Sequence, residues 1–334
     1  MSLVTSPTLP RVLVLGTGGT IAGSSAATQE TGYVAGVVDV GDLIRAVPGV
    51  SQMAQVGYEQ FAQIDSCDMT LERQLALARR IQRAVAGDDV DAVVVTHGTD
   101  TLEETAYLLR LTLDSPKPVV MVGAMRPADA PGADGPANLR NAIVAAVSQR
   151  ARGLGVLVVL GEEVHGAREV TKRHTTRVNA FASAHGPLGE VVGGELRLFA
   201  RPTRPYGPAA FALGQLGAPP PVEVLMGRAG LPPSLVSAYV ASGARGLVYV
   251  GHGNGNVPLD LQPALAAVAA SGVPVVRTSR VGAGVVTRNG AVADDRLGLI
   301  AGGDLGPGKA RVLLALSLTQ TDDPARLQGF FDTL

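Results

Sequence analysis

The sequence contains one cysteine, Cys67, among its 334 residues. A single cysteine cannot form an intramolecular disulfide or a cysteine-based metal cluster. The five histidines, at positions 97, 165, 174, 185 and 252, show neither HExxH nor close-paired spacing, and this argues against a zinc site. We therefore expect a protein that binds no metal.

The sequence also lacks an excess of charge of either sign. Its 28 basic and 29 acidic residues leave a formal net charge of -1. No basic run or aromatic-interleaved patch suits a phosphate backbone, so we do not expect nucleic acid as a partner.

Long apolar runs are absent as well. Nowhere do roughly 18 apolar residues stand together, as a membrane-spanning helix requires. Residues 1–10 contain no basic segment followed by the apolar core of a signal peptide. The sequence as given predicts a soluble, cytoplasmic protein with no membrane partner. A periplasmic or secreted location is the alternative if a signal peptide was removed.

Glycine, proline and hydrophobic residues are all plentiful. The chain has 42 glycines, 22 prolines and 46% hydrophobic residues, a composition typical of a compact, loop-rich globular protein. A proline- and glycine-rich segment at residues 201–221 indicates a linker. We expect a large N-terminal domain over residues 1–200 and a smaller α/β domain over residues 222–334.

The stretch RVLVLGTGGTIAG, residues 11–23, combines an apolar strand pattern with a glycine-rich loop. Residues 12–15 form a continuous apolar run, typical of a strand buried on both faces. Glycines follow at positions 16, 18, 19 and 23, with the hydroxyls of Thr17 and Thr20 among them. Such a loop lets the backbone approach a small ligand closely. A purely structural turn is the alternative for this loop alone.

Spacing excludes two nucleotide-binding loops. A dinucleotide fingerprint needs glycine at its sixth position, where this loop has Ile21, and no Lys-Ser/Thr pair follows as a P-loop requires. We therefore expect no organic cofactor.

Strand and helix patterns alternate after this loop. Predicted strands cover 55–64, 90–95, 118–123 and 154–160, and predicted helices cover 40–46, 70–85, 102–113 and 138–147. Thr101 and Glu104 have capping-box spacing. The alternation predicts an α/β fold with a mostly parallel, doubly wound sheet. Because ligands of such sheets lie beyond the carboxyl ends of the strands, Thr20, Thr99 and Asp100 should meet there.

The segment after the linker alternates again. Predicted strands cover 222–225, 246–250 and 273–277, and predicted helices cover 233–241 and 259–270. The glycine-rich loop GHGNGN, residues 251–256, follows the second of these strands. We therefore expect a second, smaller parallel sheet.

Two further residues could support threonine chemistry, since a hydroxyl becomes a useful nucleophile only when a base takes its proton. Lys172 could be that base if it is desolvated beside the Asp100 carboxylate; a surface cation is the alternative. Tyr33, in the polar stretch 22–36, is either a surface anchor or a catalytic group delivered by a lid. The sequence has no GxSxG elbow, so a serine hydrolase is not indicated.

Six segments together resemble the bacterial-type L-asparaginases, a family of threonine amidohydrolases. They are TGGTIAG (17–23), THGTDTLEETA (96–106), VVMVGAMRP (119–127), VTK (170–172), GNGN (253–256) and KARVLL (309–314). The resemblance covers nearly the whole chain, and its two threonine motifs are the most specific part.

The resemblance implies an enzyme that splits the side-chain amide of L-asparagine into aspartate and ammonia through an acyl-enzyme. Thr20 would be the nucleophile, assisted by Tyr33. Thr99, Asp100 and Lys172 would form a second catalytic group with Lys172 as its base. The backbone amides of Thr20 and Thr99 would form the oxyanion hole.

The resemblance also implies the groups that bind the substrate. Ser66 and Asp100 would hold the α-carboxylate and α-ammonium, Thr99 would contact the substrate, and the Ala124 carbonyl would hold the leaving amide. The family is typically a homotetramer of intimate dimers, in which an Asn from the smaller domain completes the site across the dimer interface. Asn256 matches that residue.

Two positions depart from the family pattern. Cys67 stands in the pocket where the family has Gln, and the substrate-binding Glu that some relatives place before the Asp-Asp pair is replaced by Ala291 or Val292. We expect an intact hydrolytic core with weaker substrate binding.

Other functions could use the same fold. A glutaminase-asparaginase or a D-amino-acid amidase would keep the core. A tRNA-dependent amidotransferase subunit typically carries an extra N-terminal domain, for which the residues before the first strand leave no room. A non-catalytic amino-acid sensor would keep the pocket but would not need Thr20, Thr99 and Lys172 together.

Overall fold

The computed structural model describes residues 9–25, 32–202 and 208–334. Residues 1–8, which belong to the stretch examined for a signal peptide, lie outside the described part. So do residues 26–31 of the predicted lid and 203–207 of the predicted linker. No helix among the described residues has the length and apolar character needed to cross a membrane.

The chain divides into two compact units, residues 1–210 and 211–334. The division falls inside the proline-rich segment 201–221. Phe211 is fully buried, and its ring centroid lies 5.4 Å from that of Phe330. Part of the proline-rich segment therefore belongs to the core of the second unit.

An eight-stranded sheet forms the centre of the first unit. The strands of this unit are β1 Arg11–Gly18, β2 Ser24–Ser25, β3 Tyr33–Val34, β4 Gln55–Ile64, β5 Ala92–Thr96, β6 Val119–Val122, β7 Val156–Leu160, β8 Glu163–Gly166, β9 Val170–Lys172, β10 Phe181–Ser183, β11 Gly189–Val192 and β12 Glu195–Leu198. The sheet order is β12-β11-β8-β7-β6-β5-β1-β4. Strands β4, β1, β5, β6 and β7 pair in parallel, and β8, β11 and β12 are antiparallel. The predicted mostly parallel sheet is confirmed.

Helices cover both faces of this sheet. They are α1 Val40–Arg45, α2 Val50–Met53, α3 Leu71–Ala86, α4 Leu102–Thr112 and α5 Gly135–Val147. Val12, Val14 and Val94 share one apolar cluster with α1 and α5. The intervening residues, such as Val93 and Val95, point to the opposite face because side chains alternate along a strand. There α3 contacts β5 and α4 contacts β7, as a doubly wound sheet requires.

The sheet order creates a crevice between β1 and β5. From β1 the chain passes to β4 on one side of it, and then crosses to β5 on the other side. The connections after β1 and β5 therefore leave in opposite directions, which is where open parallel sheets bind their ligands. Thr20 follows β1 and Thr99 follows β5, so both lie at this end of the sheet.

Two local predictions are wrong. Thr101 does begin α4, but its hydroxyl makes no capping bond to the helix; it donates instead to the Ser66 carbonyl at 2.7 Å. The first strand also continues past residue 15 to Gly18, because Gly16 still pairs with Thr96 and Gly18 pairs with Ile64. The loop that carries Thr20 therefore starts later than the glycine pattern suggests.

The second unit contains a four-stranded parallel sheet. Its strands are β13 Val222–Met226, β14 Gly246–Gly251, β15 Val275–Ser279 and β16 Leu299–Ala301, in the order β13-β14-β15-β16. Its helices are α6 Ser234–Ala241, α7 Gln262–Ala270, α8 Asp294–Leu297, α9 Pro307–Ser317 and α10 Pro324–Thr333. The predicted smaller α/β unit is confirmed.

Candidate active site

Thr20 lies immediately beyond the end of β1. Gly19 takes a φ of 77°, and a short 3-10 turn, Thr20–Ala22, begins at the threonine. Thr20 Oγ1 lies 2.8 Å from the hydroxyl oxygen of Tyr33. The pairing of Ser25 with Tyr33 between β2 and β3 holds the tyrosine in this place. A threonine hydroxyl with a phenol in hydrogen-bond reach has the geometry of a nucleophile beside a group that can relay its proton.

Thr99 and Asp100 lie beyond the end of β5 and share one partner. Lys172 Nζ donates to Thr99 Oγ1 at 2.9 Å and to Asp100 Oδ1 at 2.6 Å. Thr99 is buried, and the lysine side chain is 18% exposed against 61% for the aspartate. The structure thus joins a hydroxyl, an amine and a carboxylate in one chain of hydrogen bonds. In this arrangement an amine can take a proton from a hydroxyl while the carboxylate orients it.

Glu103 supports this group and does not follow from sequence reasoning. Its Oε2 accepts a hydrogen bond from the Lys172 backbone N–H at 2.7 Å. On the other side of β9, Lys172 pairs with Phe181 of β10. Glu103 stands in the first turn of α4, where an acidic residue is expected for the helix dipole alone. No local pattern signals a contact with a backbone 69 residues away.

The two threonine loops touch through glycine. A Cβ atom built on Gly19 would lie 2.2 Å from the Cα of Gly98. A Cβ on Gly98 would lie 2.7 Å from the side chain of Ser66. Real side chains do not fit at either distance, so the loops after β1, β4 and β5 come together because these positions have no side chain.

Ser66 and Cys67 form the third loop, after β4. The Ser66 hydroxyl accepts from the Asp100 N–H at 3.2 Å, and Ser66 is buried. Cys67 is exposed. Desolvation by the surrounding protein and the neighbouring carboxylates of Asp65 and Asp68 raise the pKa of the Cys67 thiol. A raised pKa keeps the thiol protonated and unreactive.

The Ala124 segment lies beside the Thr99 loop. Ala124 is fully buried just after β6. A Cβ on the preceding residue, Gly123, would lie 2.9 Å from the Thr99 Cγ2. Asn138 holds this segment by donating to the Gly123 carbonyl at 3.0 Å. The Ala124 backbone is therefore fixed next to one of the two threonines.

The oxyanion-hole prediction concerns two backbone donors. Among the described residues, neither the Thr20 N–H nor the Thr99 N–H donates to another protein group. Buried backbone donors are nearly always paired in proteins. Both threonines are buried, and a ligand oxygen that accepts from their N–H groups stays a prediction.

His97 precedes the loop that carries Thr99 and is wholly buried. One of its ring nitrogens, Nδ1, lies 2.7 Å from the Gly98 carbonyl oxygen. Burial lowers the pKa of His97 to about 4. The imidazole is therefore neutral near pH 7.

Asn256 belongs to the second unit. It ends the loop that follows β14, and its backbone forms a bridge with His252. Its side chain is exposed. Among the described residues, no three or more His, Cys, Asp and Glu side chains are grouped to hold a metal ion in either unit.

Two family models match this chain. The model described as "Asparaginase, N-terminal" matches residues 11–204, and the model described as "Glutaminase/Asparaginase C-terminal domain" matches residues 221–331.

Full-length relatives carry related names. "L-asparaginase 2" of Bacillus subtilis is 43% identical over 97% of this chain and 86% of the relative. "Glutaminase-asparaginase" of Pseudomonas fluorescens is 41% identical over 98% of this chain and 91% of the relative. The crystal structure of "Probable Cytoplasmic L-asparaginase" from Campylobacter jejuni superposes with a TM-score of 0.93. It is 41% identical, over 97% of this chain and 100% of that chain.

Proposed function

The chain belongs to the asparaginase family, and from that premise we propose that it hydrolyses the side-chain amide of L-asparagine to L-aspartate and ammonia through a threonine acyl-enzyme. The hydrogen-bonded group of Lys172, Thr99 and Asp100 supports the proposal most directly. A protein that only binds an amino acid has no need of a lysine bonded to a buried hydroxyl.

In the first half of the reaction, Thr20 is the nucleophile. Its Oγ1 attacks the side-chain carbonyl carbon of asparagine, and the Tyr33 oxygen, 2.8 Å away, takes the threonine proton while the phenol passes its own proton to the amide nitrogen. The carbonyl oxygen becomes negative and is held by the N–H groups of Thr20 and Thr99, which have no other partner among the described residues. The C–N bond then breaks, and the nitrogen leaves as ammonia with the proton that it received from Tyr33.

In the second half, water replaces ammonia. The Lys172 amine, bonded to Thr99 and oriented by Asp100, takes a proton relayed from the water through the Thr99 hydroxyl. The hydroxide attacks the acyl carbon, the ester bond to Thr20 breaks, and the proton returns to the threonine oxygen. The product is aspartate, and the enzyme is restored.

The substrate's α-groups bind at the rim of the same site. Ser66 and Asp100 are joined by the bond from the Asp100 N–H to the Ser66 hydroxyl, so they can hold the α-carboxylate and α-ammonium as neighbours. The fixed Ala124 carbonyl accepts from the departing amide nitrogen. Asn256, from a second copy of the chain, completes the ammonium contacts in a homotetramer of intimate dimers.

Ammonia release from a panel of amides tests the proposal. L-asparagine, L-glutamine and their D-isomers are supplied separately, with EDTA present to remove metal ions. We expect the fastest release from L-asparagine and no effect of EDTA. Release from none of the four amides by folded protein would reject the enzyme and favour the amino-acid sensor.

A glutaminase-asparaginase is the second candidate. Relatives with that name are 38 to 41% identical to this chain, against 43% for the L-asparaginase 2 of Bacillus subtilis. A ratio of kcat/KM for asparagine over glutamine near one would identify this function.

Assembly and location are part of the proposal. We expect a tetramer in analytical ultracentrifugation and recovery in the cytoplasmic fraction of cells. One relative, from Haemophilus influenzae, is named "Probable L-asparaginase periplasmic", so cell fractionation is the test of location.

A further inference from the structure

A fully buried ion pair lies in the second unit, outside the catalytic group. Arg277 Nε donates to Asp294 Oδ1 at 2.8 Å, and Arg277 Nη2 donates to Asp294 Oδ2 at 2.7 Å. Both side chains are 0% exposed. A buried ion pair loses so much hydration that apolar residues of similar volume often serve stability as well or better. Stability alone therefore does not explain this pair.

The remaining donors of Arg277 hold two loops. Nη1 donates to the Asn254 carbonyl at 2.7 Å and the Gly255 carbonyl at 3.0 Å, and Nη2 donates to the Thr287 carbonyl at 3.0 Å. An arginine has five N–H donors in a fixed planar fork, and all five are used here. One side chain thus fixes the loop after β14 relative to the segment that precedes α8.

Side chains reinforce this link. Asn254 Nδ2 donates to Thr287 Oγ1 at 2.8 Å, and the Thr287 N–H donates to Asn254 Oδ1 at 2.8 Å. Asp294 Oδ2 accepts a further bond from the Asn289 N–H at 2.8 Å, with Asn289 at a φ of 55°. The two segments are therefore joined at several points around the guanidinium.

Gly255 is required for this contact. A Cβ atom on it would lie 2.7 Å from Arg277 Nη1, and its φ of 66° disfavours a side chain as well. Asn256 follows directly. Its backbone is bridged to His252, with the Asn256 N–H donating to the His252 carbonyl at 2.6 Å. Its own side-chain amide is exposed and makes no hydrogen bond among the described residues.

We propose that Arg277 and Asp294 are positioning residues for Asn256. They fix the backbone of the loop, so that the free amide of Asn256 is presented to the amino-acid substrate from one position. This inference rests on the proposed function, in which Asn256 contacts the substrate. It adds a specificity element that is made entirely within the second unit.

Arg277→Lys in the full chain tests the proposal. Lysine keeps the charge beside Asp294, but its single ammonium cannot reach the carboxylate and both loops together. We expect kcat/KM for asparagine to fall by about tenfold. The fall should arise in whichever of kcat and KM the Asn256→Ala substitution changes. In the Asn256→Ala background, Arg277→Lys should have almost no further effect, because residues that act through one another are not additive.

A matched control separates positioning from stability. Leu265→Ala removes a fully buried side chain of α7 in the same unit. It should lower Tm by about as much as Arg277→Lys does. Its effect on kcat/KM should be small and should simply add to that of Asn256→Ala. Thr287→Val is a milder network variant at an exposed position. It removes the hydroxyl that accepts from Asn254 Nδ2, and the variant should fold normally. Its kcat/KM should be about threefold lower than that of wild type, and this loss should also disappear in the Asn256→Ala background.

The possible results are distinct. No ammonia release from wild-type protein would reject the proposed function. If wild-type protein is active and Asn256→Ala is impaired, then additive effects of Arg277→Lys or Thr287→Val with Asn256→Ala would overturn the positioning role. Wild-type kinetics in a folded Arg277→Lys would overturn it as well. If Arg277→Lys does not fold, the effects of Thr287→Val with and without Asn256→Ala decide the question alone.

Discussion

The Cβ position of Gly19 lies 2.2 Å from the Cα of Gly98, so the loops that carry Thr20 and Thr99 are in backbone contact. A side chain on Gly19 would displace the Thr99 loop, and a side chain on Gly98 would collide with Ser66 in the loop after β4. The approach of the two threonines therefore depends on two residues that contribute no chemistry of their own.

Gly98→Ala is the first test of this dependence. The new methyl group would lie 2.7 Å from the Ser66 side chain, so the Thr99 loop must shift. Shifts of about 1 Å at a catalytic group can cost about a hundredfold in rate, and we expect a loss of that size in kcat/KM. Gly57→Ala is the control, since a Cβ there meets nothing within 4 Å. Near-normal kinetics for Gly98→Ala would mean that the loops adapt and that their contact is not required.

The second prediction concerns the catalytic hydroxyls and their bases. Thr20→Ala, Thr99→Ala and Lys172→Met should each lower kcat by roughly a thousandfold or more, because each removes one member of a unit that acts together. Tyr33→Phe should also be severe, because it removes the hydroxyl that lies 2.8 Å from Thr20 Oγ1.

Two exposed or half-exposed positions provide controls for these variants. Lys117→Met and Tyr58→Phe make the same chemical changes away from the proposed site and should keep wild-type kcat. If Thr99→Ala and Lys172→Met both remained active, Lys172 would not be the base, and Tyr33 or a water molecule would have to serve instead.

Much of the fold could be predicted because the relevant signals are local. Strand β4 and helix α3 follow directly from an extended pattern and a helical apolar spacing in the sequence. Helix α9 does not, since nearly all its residues are buried and it has little amphipathic contrast. Strands β8, β11 and β12 are four residues each and are too short for a clear alternation.

The site divides along the same lines. Thr20 and Thr99 stand in the two most specific motifs, and Lys172 stands in a short motif that is informative only together with them, so all three could be named as candidates from the sequence. Glu103 and Arg277 could not, because each acts through contacts with segments distant in the chain. The capping role predicted for Thr101 is wrong for a related reason: a tertiary acceptor, the Ser66 carbonyl, competes for the hydroxyl.

The third prediction is a loss of stability in acid. Burial lowers the pKa of His97 to about 4 in the folded protein, against about 6.5 when unfolded. Between these values the unfolded state binds more protons, so the free energy of unfolding falls as pH drops from about 6.5 to about 4. Above about pH 6.5 this histidine no longer makes the free energy of unfolding depend on pH. The difference between the two pKa values of His97 corresponds to about 3 kcal/mol in the free energy of unfolding.

His97→Asn should reduce this acid sensitivity. The asparagine amide can still donate to the Gly98 carbonyl but does not titrate. Chemical denaturation at pH 7, 5.5 and 4.5 measures the slope, with His185→Asn as the control at an exposed position. An identical slope for His97→Asn and wild type would contradict the assignment of this proton uptake to His97.

The fourth prediction is that Cys67 is not a nucleophile. Its raised pKa keeps it protonated, and the thiolate is the reactive form of cysteine. Cys67→Ser should therefore retain kcat within about twofold in the ammonia assay. A thiol reagent could still inhibit by filling the pocket, so the substitution is the cleaner measurement. A folded but inactive Cys67→Ser would show that the thiol takes part in the reaction.

The last prediction concerns substrate affinity. The chain has Cys67 where the family has Gln, and either Ala291 or Val292 where some relatives have a substrate-binding Glu. The structure separates these two candidates for the Glu position, because Ala291 is exposed while Val292 is 3% exposed and packs in the apolar core. A hydrogen bond to a charged group contributes about 1.5 to 3 kcal/mol. We therefore expect a high KM for asparagine, on the order of tenths of a millimolar or above.

Cys67→Gln and Ala291→Glu, singly and together, should lower KM by about 10- to 100-fold while kcat stays nearly constant, the signature of restored uniform binding. Val292→Glu is the contrasting variant: it places a carboxylate in an apolar core and should lower stability without improving KM. A micromolar KM in wild-type protein, or an unchanged kcat/KM in the double variant, would mean that other groups already hold the ammonium. Asn256, fixed by Arg277, would then be the first of these groups to test.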